Sequence, residues 1–199
     1  MNIIVNAFEE LKNNISKCNN CGLCETRNNI VFGEGNIYSP LVIIGEAPGE
    51  EEDLTGRPFV GKAGELLTNI LKAAGFNREE IYITNVVKCR PPENRDPDQS
   101  EQFACRDYLE SQLLLIRPKI IITMGNVATK SILSTTKGIT SIRGQLFDWR
   151  GIKLFPMFHP SFLLRNESRA KGSPKDLTWQ DIKYIKKLYD EVKNIKNDD

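Results

Sequence analysis

The feature that most constrains the fold is a series of short apolar runs separated by segments of helical periodicity. The runs cover residues 41–44, 81–87, 120–124 and 152–158. Residues 41–44 are uninterrupted, and an apolar run of this length flanked by turn residues is typical of a strand buried on both faces. Strands that alternate with helices predict an α/β fold in which a mainly parallel sheet is covered by helices on both faces.

The segments between these runs predict the remaining elements. Residues 30–35 are expected to form a further strand, and residues 146–149 to form a hairpin with the last apolar run. Helical spacing of apolar residues predicts helices at 1–17, about 65–74, about 98–116, a short one after 125–126, and about 177–195.

The connection over residues 45–64 has the composition of a binding loop. Its five glycines and two prolines predict that it forms no regular element, and it leaves the end of a predicted core strand. In open α/β sheets such connections line the ligand crevice. Residues 56–63 nearly match a phosphate-binding P-loop, but Ala63 lacks the hydroxyl that such loops offer to magnesium.

Three polar side chains follow the predicted core strands at their carboxyl ends. Glu46 comes after the first, Asn85 lies at the end of the second and His159 follows the last. Because the carboxyl ends of parallel strands meet at one edge of the sheet, we expect these residues to converge on one site.

Length and charge set broad limits. At 199 residues, we expect a single domain over 1–199, and a net charge of +1 gives no global signal for nucleic acid. No apolar stretch reaches the length of about 18 residues that spans a bilayer, so we expect no membrane association and a cytoplasmic protein.

The spacing of the cysteines suggests metal binding. Cys18 and Cys21 form a C-x2-C pair, whereas Cys89 and Cys105 come much later in the chain. Four thiolates from two regions could hold zinc or a [4Fe-4S] cluster, with zinc the first choice from spacing alone. The alternative is that Cys105 is an ordinary buried thiol. Cys24 is surplus to either kind of site.

Several motifs, taken in order, resemble those of the family-4 uracil-DNA glycosylases, the iron-sulfur type of thermophilic bacteria and archaea. The resemblance covers nearly the whole chain. The matching segments are residues 18–21 (C-x2-C), 31–35 (VFGEG), 45–49 (GEAPG), 55–64 (TGRPFVGKAG), 84–92 (TNVVKCRPP), 94–95 and 158–161 (FHPS).

The resemblance implies a four-stranded, mainly parallel sheet in a three-layer α/β/α arrangement. It also implies a monofunctional DNA-repair enzyme that flips uracil out of DNA and hydrolyses its N-glycosidic bond. It shifts the choice of metal to a structural [4Fe-4S] cluster. The implied ligands are Cys18, Cys21, Cys89 and Cys105.

Site residues follow from the same resemblance. Phe59 is expected to stack on uracil, Asn85 to bind its N3–H and O4, and His159 to hydrogen-bond its O2. Ala47 stands where glycosylases of the first family carry a water-orienting aspartate, so the group that activates water is open. Glu46 and Ala47 are carried as pocket residues, with Glu46, Glu52 and Asn94 as catalytic candidates.

DNA contacts are expected on two rims of the pocket. Residues 163–165 lie where such enzymes carry an apolar wedge, and Arg165 and Arg169 belong to a basic cluster suited to phosphates. Leu163, Arg165 and Arg169 are therefore assigned to DNA binding. Lys88, Arg90 and Arg95 are candidates on the opposite rim.

The expected partner is uracil-containing DNA, single- or double-stranded, bound by a monomer, with a sliding clamp as a candidate further partner. Two other interpretations stay open: a uracil-DNA binding module with little turnover, and a metal-thiolate redox protein.

Overall fold

A computed structural model describes residues 3–195, and its centre is one six-stranded sheet. The strands are β1 (Glu34–Gly35), β2 (Leu41–Gly45), β3 (Tyr82–Asn85), β4 (Ile120–Met124), β5 (Phe147–Trp149) and β6 (Ile152–Met157). They lie in the order β1-β3-β2-β4-β6-β5. The inner four strands pair in parallel, and β1 and β5 pair antiparallel to β3 and β6. The α/β class is confirmed, whereas the count of four strands omits the two short edge strands.

Helices cover both faces of this sheet. They are α1 (Ile3–Ser16), α2 (Glu50–Thr55), α3 (Lys62–Ala73), α4 (Gln99–Ile116), α5 (Gly125–Leu133), α6 (Ile139–Ile142), α7 (Pro160–Leu164) and α8 (Pro174–Ile195). Residues 1–2 of the first predicted helix lie outside the described residues. None of the helices in the described part of the chain combines the length and apolarity that a membrane span requires.

Helix α2 corrects the expectation that residues 45–64 form no regular element. Its first turn holds four consecutive acidic residues, which suit the positive end of a helix dipole. The Glu52 side chain accepts a hydrogen bond from the backbone N–H of Gly49 at 3.1 Å, as in a capping box. Gly56 ends the helix with a φ of 71°, a conformation that glycine adopts without strain.

The core lies in two layers, one on each face of the sheet. Alternate residues of β2 point to opposite faces, and all five are buried. One layer packs against α1, α4 and α5, and the other packs against α3 and α8. The long apolar strands therefore occupy the middle of the sheet, as their composition predicts. Since all the described strands join this one sheet, we retain a single domain over 1–199 as a proposal.

Candidate functional site

A cavity of about 760 Å³ opens at the carboxyl ends of the inner strands. Its walls include Glu46 after β2, Asn85 at the end of β3, Asn126 after β4 and His159 after β6. The chain goes from β2 to β3 on one side and returns to β4 on the other side of β2. Ligand crevices in open α/β sheets form where the strand order reverses in this way. The convergence of Glu46, Asn85 and His159 at one site agrees with the sequence expectation.

Asn85 presents an unpaired hydrogen-bond acceptor to this cavity. Asn85 is 2% exposed, and its buried Oδ1 has no hydrogen-bond partner among residues 3–195. Buried polar atoms are almost always paired, so an unpaired one in a cavity wall points to a ligand that donates a hydrogen bond. A Cβ atom at Gly45 would lie 2.3 Å from this oxygen. Only glycine at position 45 leaves room for the amide.

Phe59 forms the neighbouring wall in a conformation that the loop imposes. Its φ is 53°, which is unfavourable for a residue with a side chain, and its ring centroid lies 5.8 Å from that of His159. A Cβ atom at Gly64 would lie 1.9 Å from the Phe59 carbonyl, so glycine is required there too. The ring also packs into the apolar core and is 6% exposed.

Two polar side chains hold the Phe59 loop in place. Glu52 Oε1 accepts hydrogen bonds from the backbone N–H groups of Val60 and Gly61 at 2.8 and 2.9 Å. Arg78 donates to the Pro58 carbonyl at 2.7 Å. Since both oxygens of Glu52 bind backbone N–H groups, including that of Gly49, Glu52 shapes this loop. Its predicted role in catalysis stays a prediction.

The hydrogen bonds of His159 define its tautomer. Nδ1 accepts the backbone N–H of Ser161 at 3.2 Å and lies 2.8 Å from the Ser161 hydroxyl. Burial lowers the pKa of the imidazole to about 4, Arg165 acts in the same direction, and Glu52 opposes them. The ring is therefore neutral near pH 7, with its proton on Nε2. The sequence alone left this protonation state open.

Glu46 lies beside a second carboxyl group in the cavity wall, that of Asp96. Burial, repulsion by Asp96 and a hydrogen bond between the two side chains together raise the pKa of Glu46 to about 7. Such a pair holds a proton between like charges. Ala47 and Asn94 also line the cavity, and Asn94 Oδ1 accepts a hydrogen bond from Arg90 at 2.8 Å.

The exposure of side chains on the rim contradicts two of the predicted DNA contacts, Leu163 on this rim and Lys88 on the opposite one. Leu163 is 1% exposed and packs against Ile139 and Phe158, so it cannot be a wedge that contacts DNA. Its neighbour Leu164 is 42% exposed. Arg165 lines the cavity. Both Arg165 and Arg169 are exposed.

On the opposite rim, Lys88 is fully buried, which contradicts its predicted contact with phosphate. Burial lowers the pKa of Lys88 to about 7, and Cys105 and Cys89 act in the opposite direction. Arg95 forms an ion pair with Glu101 at 2.7 Å.

The predicted metal ligands converge on a second cavity. Cys18, Cys21, Cys89 and Cys105 all line it, together with Arg27, and Cys24 does not. All five cysteines are free thiols. Within residues 3–195, no three metal-binding side chains are grouped closely enough for a single ion.

The thiols of this second cavity lie beside positive charge. Arg27 donates to Cys89 Sγ at 3.3 Å, and the backbone N–H of Lys88 donates to Cys105 Sγ at 3.3 Å. Burial raises the pKa of Cys89 to about 11, although Arg27 opposes this shift. Burial also raises the pKa values of Cys21 and Cys105. Deprotonation here requires further positive charge, which a bound metal centre supplies.

Sequence reasoning missed Asp96 and Ser161. Asp96 belongs to the loop between β3 and α4 and reaches the cavity from there. Its only sequence signal is its position close to Asn94 in a proline-rich loop. Ser161 follows His159 by two residues, a spacing at which a side chain commonly accepts a backbone N–H.

Comparison with known proteins agrees with this geometry. Residues 32–183 match the family model described as the uracil DNA glycosylase superfamily. The chain is 49% identical over 163 residues to a type-4 uracil-DNA glycosylase of Thermotoga maritima, covering 81% of this chain and 85% of that protein. It is 42% identical over 193 residues to a type-4 enzyme of Sulfurisphaera tokodaii, covering 92% and 86%.

A more distant relative belongs to another type of the superfamily. The type-5 uracil-DNA glycosylase of Pyrobaculum aerophilum is 28% identical over 154 residues, covering 68% of this chain and 67% of that protein. The chain therefore belongs to the uracil-DNA glycosylase superfamily and, within it, to the type-4 enzymes.

Proposed function

We propose that this protein removes uracil from DNA by hydrolysing the N-glycosidic bond, which releases free uracil and leaves an abasic site. The observation that carries the proposal is the unpaired, buried Oδ1 of Asn85 beside the Phe59 ring. A base within a duplex is out of reach of such a cavity, so the nucleotide must be flipped out of the stack.

Recognition of uracil rests on hydrogen-bond complementarity. Uracil carries a donor at N3, which suits the free acceptor of Asn85, whereas cytosine carries an acceptor at N3 and would leave both atoms unpaired. A buried unpaired polar group costs about 1–3 kcal/mol, enough to discriminate between the two bases. Phe59 supplies a flat apolar surface for the pyrimidine ring.

Catalysis would begin with departure of the base. Negative charge develops on uracil as the bond breaks, and the neutral His159 can donate its Nε2 proton in a hydrogen bond to O2. Water then adds to the sugar. Glu46, paired with Asp96, is our candidate for activating that water. Ala47 lines the cavity with its backbone and its methyl group, neither of which can act as a base. Asn94 is the second candidate for binding the water, and Glu52 acts by shaping the wall.

We further propose that Cys18, Cys21, Cys89 and Cys105 hold a [4Fe-4S] cluster. The donor set is suitable, because four free thiols line one cavity and cations flank it. A four-iron cluster is wider than one ion, so it separates its thiolates more than zinc does. When bound, it would supply a rigid crosslink between residues 18–21 and the loop after β3, since hydrolysis needs no electron transfer.

DNA would lie across the rim that carries Leu164, Arg165 and Arg169. Leu164 is the exposed apolar side chain that could fill the gap left by the flipped base, and the arginines suit phosphates. We retain a monomer acting on single- or double-stranded DNA in the cytoplasm, and a sliding clamp as a candidate partner, as proposals from the sequence.

The direct test is release of free uracil from a single-stranded oligonucleotide with one deoxyuridine. We expect wild-type protein to release it and Asn85→Ala and His159→Ala variants to be at least about 100-fold slower. The same oligonucleotide with cytosine is the control. Tight binding without release would instead support a binding module, and neither binding nor release would leave the thiolate redox interpretation.

A further inference from the structure

Lys88 is a buried charged side chain that the proposed reaction does not use. It is fully buried, and its Nζ donates to Thr84 Oγ1 at 2.5 Å, to the Asn85 carbonyl at 2.8 Å and to Gln112 Oε1 at 2.7 Å. In sequence, Lys88 lies between Asn85 and Cys89. Asn85 belongs to the first cavity, called the uracil pocket from here on. Cys89 belongs to the second cavity, whose Cys18, Cys21, Cys89 and Cys105 form what we call the thiolate site.

The surrounding hydrogen bonds suit an ammonium at Lys88. Gln112 Nε2 donates to the Phe32 carbonyl at 2.8 Å and lies 3.0 Å from the Tyr82 hydroxyl, so its Oε1 must face Lys88. The Thr84 hydroxyl donates to the Phe32 carbonyl at 2.9 Å, so its oxygen accepts from Lys88. With the Asn85 carbonyl, these make three acceptors around Nζ, which match the three donors of an ammonium.

This ammonium has no carboxylate to balance it. Among residues 3–195, the ion pairs with Asp or Glu do not include Lys88. An uncompensated buried charge is costly, so a nearby buried anion would stabilise this ammonium. The thiolates of a bound metal centre would supply such an anion, since Cys89 is the next residue and Cys105 Sγ accepts the Lys88 backbone N–H.

We propose that Lys88 is the buried counter-charge of the thiolate site and a positioning residue for Asn85, coupling the metal centre to uracil recognition. The proposal rests on the proposed function, since a cluster held by four thiolates is anionic overall. The ammonium then fixes the carbonyl of the residue whose Oδ1 faces the base. Loss of the anion on one side should therefore loosen Asn85 on the other.

Three variants separate charge from hydrogen bonding. Lys88→Met removes both, Thr84→Val removes one acceptor of the ammonium while keeping its charge, and Lys72→Met removes an exposed lysine of α3 as a control. The first measurement is the dissociation constant of an oligonucleotide carrying 2′-fluoro-deoxyuridine, whose glycosidic bond resists cleavage, relative to thymidine in the same position. The second is the midpoint reduction potential of the bound cluster.

We expect Lys88→Met to weaken uracil-specific binding about tenfold and to lower the potential, because a cation near the centre favours electron uptake. Thr84→Val should weaken uracil binding with the potential unchanged, and Lys72→Met should alter neither. Uracil affinity within twofold of wild type in both Lys88→Met and Thr84→Val, or in Thr84→Val alone if Lys88→Met does not fold, overturns the proposal. Wild-type protein that lacks iron or does not bind uracil instead overturns the proposed function.

Discussion

The uracil pocket and the thiolate site lie at the two ends of residues 85–89. They differ in whether their polar groups already have partners. The pocket keeps an acceptor of Asn85 unpaired and an imidazole neutral. In the thiolate site, the Arg27 guanidinium donates to Cys89 Sγ, and a backbone N–H donates to Cys105 Sγ. The first has free hydrogen-bonding capacity, and the second has positive charge already in place.

This difference separates a site for a transient ligand from a site for a resident one. A substrate that comes and goes must find its hydrogen-bonding partners free, because breaking existing bonds would cancel the gain. A permanent anionic group is best surrounded by built-in counter-charges, because it is never exchanged for water. Changes at the thiolate site should therefore affect folding, and changes in the pocket should affect turnover.

The largest effect should come from removing a thiol ligand. We expect Cys89→Ala to lose its iron and its melting temperature to fall by roughly 10 °C or more, because metal binding contributes several kcal/mol to folding in such sites. Cys24→Ala is the matched control, since Cys24 does not line the thiolate cavity. Iron content and calorimetric melting measure both. Retention of a full cluster in Cys89→Ala would show that the ligand set is wrong.

A single methyl group in the pocket should give the next largest effect, on turnover rather than on the cluster. In Gly45→Ala the new Cβ would lie 2.3 Å from Asn85 Oδ1 and 2.5 Å from Phe59 Cζ. We expect kcat/KM for uracil release to fall at least about 100-fold, because the Asn85 amide and the Phe59 ring cannot both keep their places.

Gly138→Ala is its control, because the new Cβ there meets no atom closer than Asn126 Oδ1 at 4.0 Å. Unchanged uracil release by Gly45→Ala would refute the pocket geometry. Iron content should match wild type in both variants, since neither position touches the thiolate cavity.

The smallest effect should be a shift in the pH profile. Because burial and Asp96 raise the pKa of Glu46 to about 7, its basic form is depleted below that pH, and uracil release should rise up to about pH 7 and then level off. Asp96→Asn removes the repulsion, lowers the pKa of Glu46 and should move the rise to lower pH.

Single-turnover rates between pH 5 and pH 9 would measure this shift. Glu50→Gln, which changes an exposed carboxylate on the same cavity, should keep the wild-type profile. An Asp96→Asn profile identical to that of wild type would remove the Glu46 and Asp96 pair from the mechanism.

Much of the fold was predictable because it depends on local patterns. The runs at 41–44 and 120–124, apolar except for Thr123, became fully buried inner strands, since such a run is satisfied only with both faces covered. The edge strands were predicted less accurately. Residues 147–149 pair antiparallel with β6, as the predicted hairpin requires. Of the strand predicted at 30–35, only residues 34–35 form one, because its extent depends on pairing with β3, which leaves almost no local signature.

The sequence by itself determined the sheet class, the convergence of Glu46, Asn85 and His159, and the set of four cysteines. These follow from strand order and residue type. Only the tertiary structure decided which side chains face solvent. It buried Leu163 and Lys88, exposed Leu164 and brought Asp96 to Glu46.

The physical reason is that burial and charge pairing depend on which elements pack together. Lys88 illustrates this most clearly. In the sequence it is one more cation in a basic loop, whereas in the fold it is an ammonium enclosed by Thr84, Asn85 and Gln112. Two of its acceptors come from β3 and one from α4, and no local pattern specifies their meeting.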